Sequence, residues 1–161
     1  MTLHHLNDSK GALRKLRKFL SNDGFLYARS CDDDEIIGYP DPQGIIRHVL
    51  DETQSVERVS DRVHGRKMYE EFYKSGFKQI EMRSYYVTTA GMTIDERCEF
   101  FYDIFHWRKN RFNKWIEIGP DAQAALDQYT QICEELDAIE ELFYDPSFYF
   151  CVAGPIAIGR K

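Results

Sequence analysis

The sequence predicts an α/β fold of about three strands with helices between them. Three apolar runs of strand length, at 25–30, 77–88 and 148–158, are separated by segments whose apolar residues recur at helical spacing. A pair of helical patterns at 93–144 stands before the last run. At 161 residues with 43% hydrophobic content, the chain has the size of one domain, predicted over 1–161, with the helical pair as an insertion within it.

The first helical pattern covers residues 9 to 20. Its apolar residues line one face, and lysines and arginines surround the other. Gly24 ends this segment, because glycine accepts the left-handed backbone found after many helices. The apolar run from Phe25 to Ser30 follows, and its composition predicts a central strand that is buried on both faces.

The next third of the chain predicts a loop, two helices and a strand. The loop, at 32–42, is rich in aspartate and contains glycine and proline. A second helix is predicted from about residue 43 to 56 and a third from Asp61 to Gly76, where a glycine follows the last apolar residue. The strand at 77–88 comes next.

The helical pair begins with a capping box. Thr93 and Glu96 can each satisfy a backbone N–H that the first turn leaves unpaired. The second helix follows Pro120, and its apolar residues alternate in steps of three and four over about six turns. We expect the two helices to pack as an antiparallel pair, and a coiled-coil dimer is the alternative. The apolar stripe predicted for the first helix is Ile94, Cys98, Phe101 and Phe105.

Charge and composition limit the classes of partner. A net charge of -6 and a pI near 5.4 argue against general binding to nucleic acids or anionic membranes, so small molecules or proteins are expected. No stretch approaches the ~20 apolar residues of a membrane helix, and no signal pattern opens the chain, which favours a cytoplasmic location. The cysteines form no CxxC pair and are predicted to be buried thiols rather than disulfides: Cys31, Cys98, Cys133 and Cys151.

Motif order resembles one enzyme family. A short run with His4-His5-Leu6, then a helix, then a polar segment ending in Gly24 before an apolar strand, is similar to the end of strand four, helix D and strand five of the class I S-adenosylmethionine-dependent methyltransferases. Gly76-Phe77 resembles their helix end before strand six. Ile158-Gly159-Arg160-Lys161 resembles the last strand, which in that fold runs antiparallel between strands five and six.

The resemblance implies a partial Rossmann-like methyltransferase sheet that forms the carboxyl-terminal, substrate-side half of the enzyme. The implied reaction is methyl transfer from S-adenosylmethionine to a small molecule. The family's glycine-rich cofactor loop is missing, since no two glycines stand in a GxG spacing. We therefore expect a truncated chain, completed by an amino-terminal half, a homo-oligomer or a partner chain that covers the open sheet edge. The alternative is a non-catalytic interaction or regulatory subunit.

The resemblance also implies candidate catalytic and cofactor-binding residues. It places His4 and His5 at the methyl-transfer pocket, where a neutral imidazole can accept a proton from the substrate. Thr2 and Leu3, beside them, are the expected contacts to the cofactor. In the alternative interpretation, one histidine packs under the sheet and the other is solvated.

The predicted substrate-binding residues follow the strand at 25–30, at the edge where open α/β sheets bind ligands. The three adjacent aspartates have two alternatives: Mg²⁺ ligands, or a solvated acidic loop. Arg62 stands at the predicted start of the third helix with His64 and Arg66, where an anion or a surface ion pair is expected. No metal site is predicted. The expected substrate-binding residues are Arg29, Asp32, Asp33, Asp34, Tyr39 and Arg62.

Overall fold

The computed structural model describes residues 3–56, 60–108 and 122–161. These residues form an α/β structure with a four-stranded antiparallel sheet, so the predicted α/β class is confirmed. The helices are α1 (Ser9–Phe19), α2 (Ile45–Val56), α3 (Met68–Lys74), α4 (Ile94–Phe101) and α5 (Ala122–Tyr144). The strands are β1 (Phe25–Arg29), β2 (Ile37–Tyr39), β3 (Lys78–Thr88) and β4 (Tyr149–Arg160).

The last strand, β4, organises the sheet. It pairs antiparallel with β1, with Ala157 opposite Ala28, and antiparallel with β2, with Phe150 opposite Gly38. Strand β3 also pairs with β4. The predicted antiparallel direction of the last strand is therefore confirmed against β1. Strand β2 was not predicted, and the order β1-β4-β2, with β3 also on β4, is not that of a Rossmann-like sheet.

The predicted central position of β1 is wrong. This strand lies at the end of the order β1-β4-β2, and Phe25 and Tyr27 are 58% and 43% exposed. Apolar composition was the basis of the prediction, but a central position requires a neighbouring strand on both edges, and composition does not specify which strands pair. Most of β4 is buried or half-buried, and it takes the position expected for β1.

The chain divides into two compact units, each built from several segments. The first contains Met1–Ile36, Val59–Val87 and Val152–Lys161. In it, helices α1 and α3 pack together over one face of the β1–β4 pair. Its buried core consists of Leu3, Leu13, Ala28, Met68, Phe72, Phe77 and Ala157.

The second unit contains Ile37–Arg58 and Thr88–Cys151, and thus includes the whole predicted insertion at 93–144. Helix α5 packs against α4 and α2. The capping box is confirmed, because Thr93 Oγ1 accepts from the Glu96 N–H and the Glu96 carboxylate accepts from the Thr93 N–H. The α5 stripe is confirmed at its buried members Ile132, Leu136, Ile139 and Phe143.

The stripe predicted for α4 needs one correction. Ile94 is 40% exposed, whereas Arg97 is buried. The Arg97 guanidinium donates hydrogen bonds of 3.0–3.1 Å to the carbonyl oxygens of Asp145, Pro146 and Phe148, which lie between α5 and β4. An arginine with its donors satisfied by backbone carbonyls is stable in a core position that periodicity assigns to apolar residues.

Replacing Arg97 with methionine is expected to lower the free energy of unfolding by about 2–3 kcal/mol, because three hydrogen bonds from a charged donor are lost at once. The Asp145 and Phe148 carbonyls keep a second donor each, from the Phe148 N–H and the Thr89 hydroxyl. Arg97→Lys keeps the charge but not the forked donors, so its loss should be smaller. Urea unfolding followed by circular dichroism measures both variants. Equal stability of Arg97→Met and the native chain would contradict the assigned role.

The third helix begins later than predicted. It starts at Met68 after a 3-10 turn at Gly65–Lys67, not at Asp61. The Asp61 carboxylate accepts a hydrogen bond from the Val63 N–H at 3.2 Å, and this local turn competes with a helical start. The predicted end is confirmed, because Gly76 has the left-handed φ of +86° just after Lys74.

All four cysteines are free, as predicted, but only Cys151 is fully buried; Cys31, Cys98 and Cys133 are partly exposed. Among the described helices, none combines the length and apolar character needed to cross a bilayer.

Candidate functional site

The aspartate loop begins where β1 ends and folds back into the first unit. Asp33–Glu35 form a 3-10 turn, and the Asp33 N–H donates to the Arg62 carbonyl at 2.9 Å. Asp32 and Asp33 are 2% and 1% exposed. The alternative of a solvated acidic loop is therefore wrong for these two residues.

Asp33 and Arg62 form a bidentate ion pair. The guanidinium donates from Nε to Asp33 Oδ2 at 3.1 Å and from Nη2 to Oδ1 at 2.7 Å. Two predicted substrate-binding residues are thus brought together by the fold. The carboxylate and the guanidinium bind each other, and the pairing neutralises the carboxylate within the structure.

Arg66 binds the other two aspartates. It donates to Asp32 from Nε at 2.8 Å and from Nη2 at 2.6 Å, and Nη2 also lies 2.8 Å from Asp34 Oδ2. The hydrogen bonds with Asp32 raise the pKa of Arg66 above its ordinary value. Gly65 permits this approach, since an added Cβ would lie 2.5 Å from Pro155 Cγ and 3.1 Å from Asp32 Cβ.

The ion pairs with Arg62 and Arg66 limit which carboxylates of the aspartate loop are exposed to a ligand. Of the three carboxylates, only that of Asp34 is substantially exposed, at 43%. Within 3–56, 60–108 and 122–161, no cluster of three histidine, cysteine or acidic side chains fits a metal ion, so the Mg²⁺ alternative has no support there. The loop is built as a salt-bridged support for the end of β1.

A chain of buried hydrogen bonds starts at His4. Its Nδ1 lies 3.2 Å from Ser30 Oγ, which lies 3.0 Å from His64 Nδ1. His64 Nε2 lies 3.0 Å from Glu71 Oε2, and the Ser9 hydroxyl donates to Glu71 Oε1 at 2.7 Å. All five side chains are buried. We call this set the His4–Glu71 chain.

Only part of the His4–Glu71 chain is predictable from the sequence. His4 is predicted as a proton acceptor and His64 as an anion contact, whereas Ser9, Ser30 and Glu71 are not predicted. The partners lie 26, 34 and 62 positions apart. The one local signal is the spacing of His64 and Glu71, two turns apart around the start of α3.

The pKa of His4 is lowered from 6.5 to about 4. Burial is the main cause, and His5, Arg62 and His64 add to it, whereas Asp33 opposes it. His4 is therefore neutral at pH 7 and remains able to accept a hydrogen bond or a proton.

His4 predicts a pH dependence of stability. Between pH 6.5 and about 4 the unfolded chain binds a proton at this residue and the folded chain does not. The free energy of unfolding should therefore fall as the pH drops through this window, and His4 should add no slope above it. Urea unfolding at several pH values measures the slope, which His4→Gln should flatten. His5→Gln is the matched control, and an unchanged slope in His4→Gln would refute the assignment.

The other predicted site residues have more open positions. The His5 ring is exposed and lies 4.0 Å from the His4 ring, centre to centre. The Arg29 guanidinium lies 5.5 Å from the centre of the Tyr85 ring, a cation–π distance. Tyr39 belongs to the second unit and is 73% exposed. Of these, His5 directly follows His4 and Arg29 directly precedes Ser30, so both adjoin the His4–Glu71 chain.

Cys31 lies between Ser30 and the aspartates. Burial raises the pKa of its thiol from 9.0 to about 11, and the nearby Arg62 partly offsets the effect. Its carbonyl accepts from the Gly65 N–H at 2.8 Å. The thiol is therefore protonated at neutral pH and is a poor nucleophile in the folded chain.

The first unit also has a surface groove of about 320 Å³ beside the aspartate loop. Strand β3 forms one wall with Met82, Ser84 and Tyr86, and Arg66 and Pro155 contribute from the other side. The groove combines an aromatic ring, a hydroxyl and a cation, which suits a small polar molecule with an apolar part.

The residues that the structure describes do not form a site that fits S-adenosylmethionine. Thr2 lies outside the described residues, and Leu3 is fully buried in the core, where it offers no surface to a ligand. The sequence has no GxG turn through which backbone N–H groups approach a cofactor closely.

No model of a known protein family matches this chain, and no curated protein matches it either.

Proposed function

We propose that this chain is the substrate-side half of an S-adenosylmethionine-dependent methyltransferase and that another polypeptide segment supplies the cofactor site. The observation that carries the proposal is the pairing of β4, the last strand, antiparallel with β1 and also with β3. These are the two neighbours that the resemblance implies for the last strand. Strand β2 is an addition to that plan.

The end position of β1 supports the proposal. Its described partner is β4, and its Phe25 and Tyr27 side chains are exposed. A five-residue strand with apolar side chains at the end of a sheet is a ready template for a further strand. In the proposed enzyme, that further strand comes from the cofactor-binding half.

The chain's own contribution is to bind the methyl acceptor and take its proton. His5 is exposed beside the neutral His4, and an imidazole at this position accepts a proton from a hydroxyl or amine acceptor. The methyl acceptor is a small molecule. The arginine-bound aspartates hold the loop at the end of β1 in one conformation.

The test compares two lengths of polypeptide by calorimetric titration with S-adenosylmethionine. The longer polypeptide, isolated as its cells produce it, should bind S-adenosylmethionine with a micromolar Kd and transfer labelled methyl groups. The chain of 161 residues should give no binding heat. Binding by neither, with both folded, would overturn the proposal. In the longer polypeptide, His5→Gln should reduce kcat at least about 100-fold without changing cofactor affinity, whereas His48→Gln is the matched control.

A non-catalytic interaction subunit is the second candidate. This candidate is favoured because the Asp32 and Asp33 carboxylates, which were expected to bind substrate, instead bind arginines of the same chain. Such a subunit would bind its partner with no dependence on S-adenosylmethionine. The same titration separates the candidates, because only the first requires cofactor binding by the longer polypeptide.

A further inference from the structure

The His4–Glu71 chain has only one arrangement of protons when both histidines are neutral and Glu71 is ionised. The carboxylate only accepts, so Ser9 Oγ and His64 Nε2 both donate to it. His64 Nδ1 is then bare and accepts the Ser30 hydroxyl proton. Ser30 Oγ in turn accepts from His4 Nδ1–H. Each of the four hydrogen bonds in the His4–Glu71 chain then contains one proton.

We propose that Ser30 relays a proton between the two histidines, so that a proton taken up at His4 Nε2 comes to rest as positive charge on His64. In this step His4 Nδ1 gives its proton to Ser30 Oγ, and the Ser30 hydroxyl gives its own proton to His64 Nδ1. His4 ends neutral with its proton on Nε2, Ser30 ends neutral, and His64 ends as an imidazolium. One proton has entered, and all bonds are still satisfied.

The charged groups around the His4–Glu71 chain favour proton transfer from His4 to His64. His64 Nε2 lies 3.0 Å from the Glu71 carboxylate, which stabilises an imidazolium. His4 instead faces Arg62 and the His5 ring, and Asp33, which favours its charge, is paired with Arg62. Ser30 lies between Arg29 and Cys31 in the sequence, and the Cys31 thiol is neutral. The lowered pKa of His4 agrees with charge resting on His64.

In the proposed methyltransferase, the relay receives the proton that the methyl acceptor loses. This use rests on the proposed function, but the relay itself does not, because a proton from water enters it equally well. His4 is 7% exposed, and its ring lies 4.0 Å, centre to centre, from that of the exposed His5. The relay therefore has an entrance at His4 and a buried end at Glu71.

Nuclear magnetic resonance of ¹⁵N-histidine-labelled chain tests the relay directly, since nitrogen shifts distinguish the two tautomers and the imidazolium. The titration covers the range in which histidine ordinarily changes charge, about pH 5 to 8. At the upper end His4 should carry its proton on Nδ1. As the first proton binds, His64 should become an imidazolium and His4 should change to the Nε2–H tautomer at the same midpoint. A His4 tautomer that stays on Nδ1 while His64 gains charge would overturn the relay.

Three serine variants locate the coupling. Ser30→Ala should abolish the shared midpoint and leave the His4 tautomer independent of His64, whereas Ser30→Thr, which keeps the hydroxyl, should restore the coupling. Ser9→Ala is the matched control, since Ser9 contacts Glu71 outside the relayed bonds. Native-like coupling in Ser30→Ala would overturn the proposal.

Glu71→Gln provides a second route if Ser30→Ala does not fold. Loss of the carboxylate should move the shared midpoint to lower pH by about 1 unit or more. An unchanged midpoint would also overturn the relay. None of these measurements involves S-adenosylmethionine, so failure of the methyltransferase proposal leaves their outcome intact.

Discussion

Arg62→Gln should lower the free energy of unfolding by about 3–5 kcal/mol, the usual cost of removing one partner of a buried ion pair. Asp33 is 1% exposed, and two hydrogen bonds from the Arg62 guanidinium balance its charge. Glutamine supplies neither the charge nor the forked geometry. The Asp33 carboxylate then stays buried and loses the Arg62 charge and the two hydrogen bonds that help to offset its desolvation.

Urea unfolding followed by circular dichroism measures this loss. The double variant Asp33→Asn with Arg62→Gln should lose less stability than Arg62→Gln alone, because it removes the buried charge as well. Arg83→Gln is the surface control, since Arg83 and Glu81 form an exposed pair at 2.7 Å, and no measurable change is expected. A double variant no more stable than Arg62→Gln would argue against charge burial as the cause.

Phe143→Ala should destabilise the second unit by about 3–5 kcal/mol, since it removes a fully buried aromatic ring. The Phe143 ring lies 5.0 Å from Phe150 and 5.2 Å from Phe148, centre to centre. It also meets the rings of Phe101 and Phe105 at 5.5 and 6.3 Å.

Thermal and urea unfolding of Phe143→Ala would measure this effect. Phe19→Ala is a matched control, because Phe19, at the end of α1, is 87% exposed and its loss leaves no cavity. Near-ultraviolet circular dichroism should change in Phe143→Ala, as its neighbours are aromatic, and stay native-like in Phe19→Ala. Equal stability of the two variants would show that the ring cluster collapses around the missing side chain.

Local patterns predicted the helices well. The Thr93 capping box and the buried stripe of α5 depend on residues three and four positions apart, and both are present. Helix α1 also matches its pattern, with the Asp8 side chain accepting from the Gly11 N–H at its start. These features were predictable because their partners lie within one or two turns.

Features set by distant contacts were harder to predict. The end position of β1 depends on strand β4, more than 100 residues later, and apolar composition carries no information about which strands pair. Arg97 was missed because hydrophobic periodicity does not count a charged residue as core, even when backbone carbonyls satisfy it.

In the candidate site too, the features set by local sequence were predictable and those set by distant contacts were not. The aspartates are candidates because they follow a strand, and the fold does bring Asp33 to Arg62. That arginines of the same chain bind the aspartates is not predictable from the sequence, because a run of charged residues does not reveal which counter-ions pair with it. Ser30, the central member of the His4–Glu71 chain, has no distinguishing sequence signal.

The reactivity of the Cys31 thiol reports how often the salt-bridged aspartate loop opens. With its pKa raised to about 11, the thiol reacts slowly with alkylating reagents while the loop is closed. Each opening returns it to an ordinary solvated thiol, so its labelling rate measures how often the backbone between Ser30 and Asp32 departs from the native state. Peptide mass mapping separates Cys31 from Cys98 and Cys133. The stability of this loop is thereby measurable apart from the unfolding of the rest of the chain.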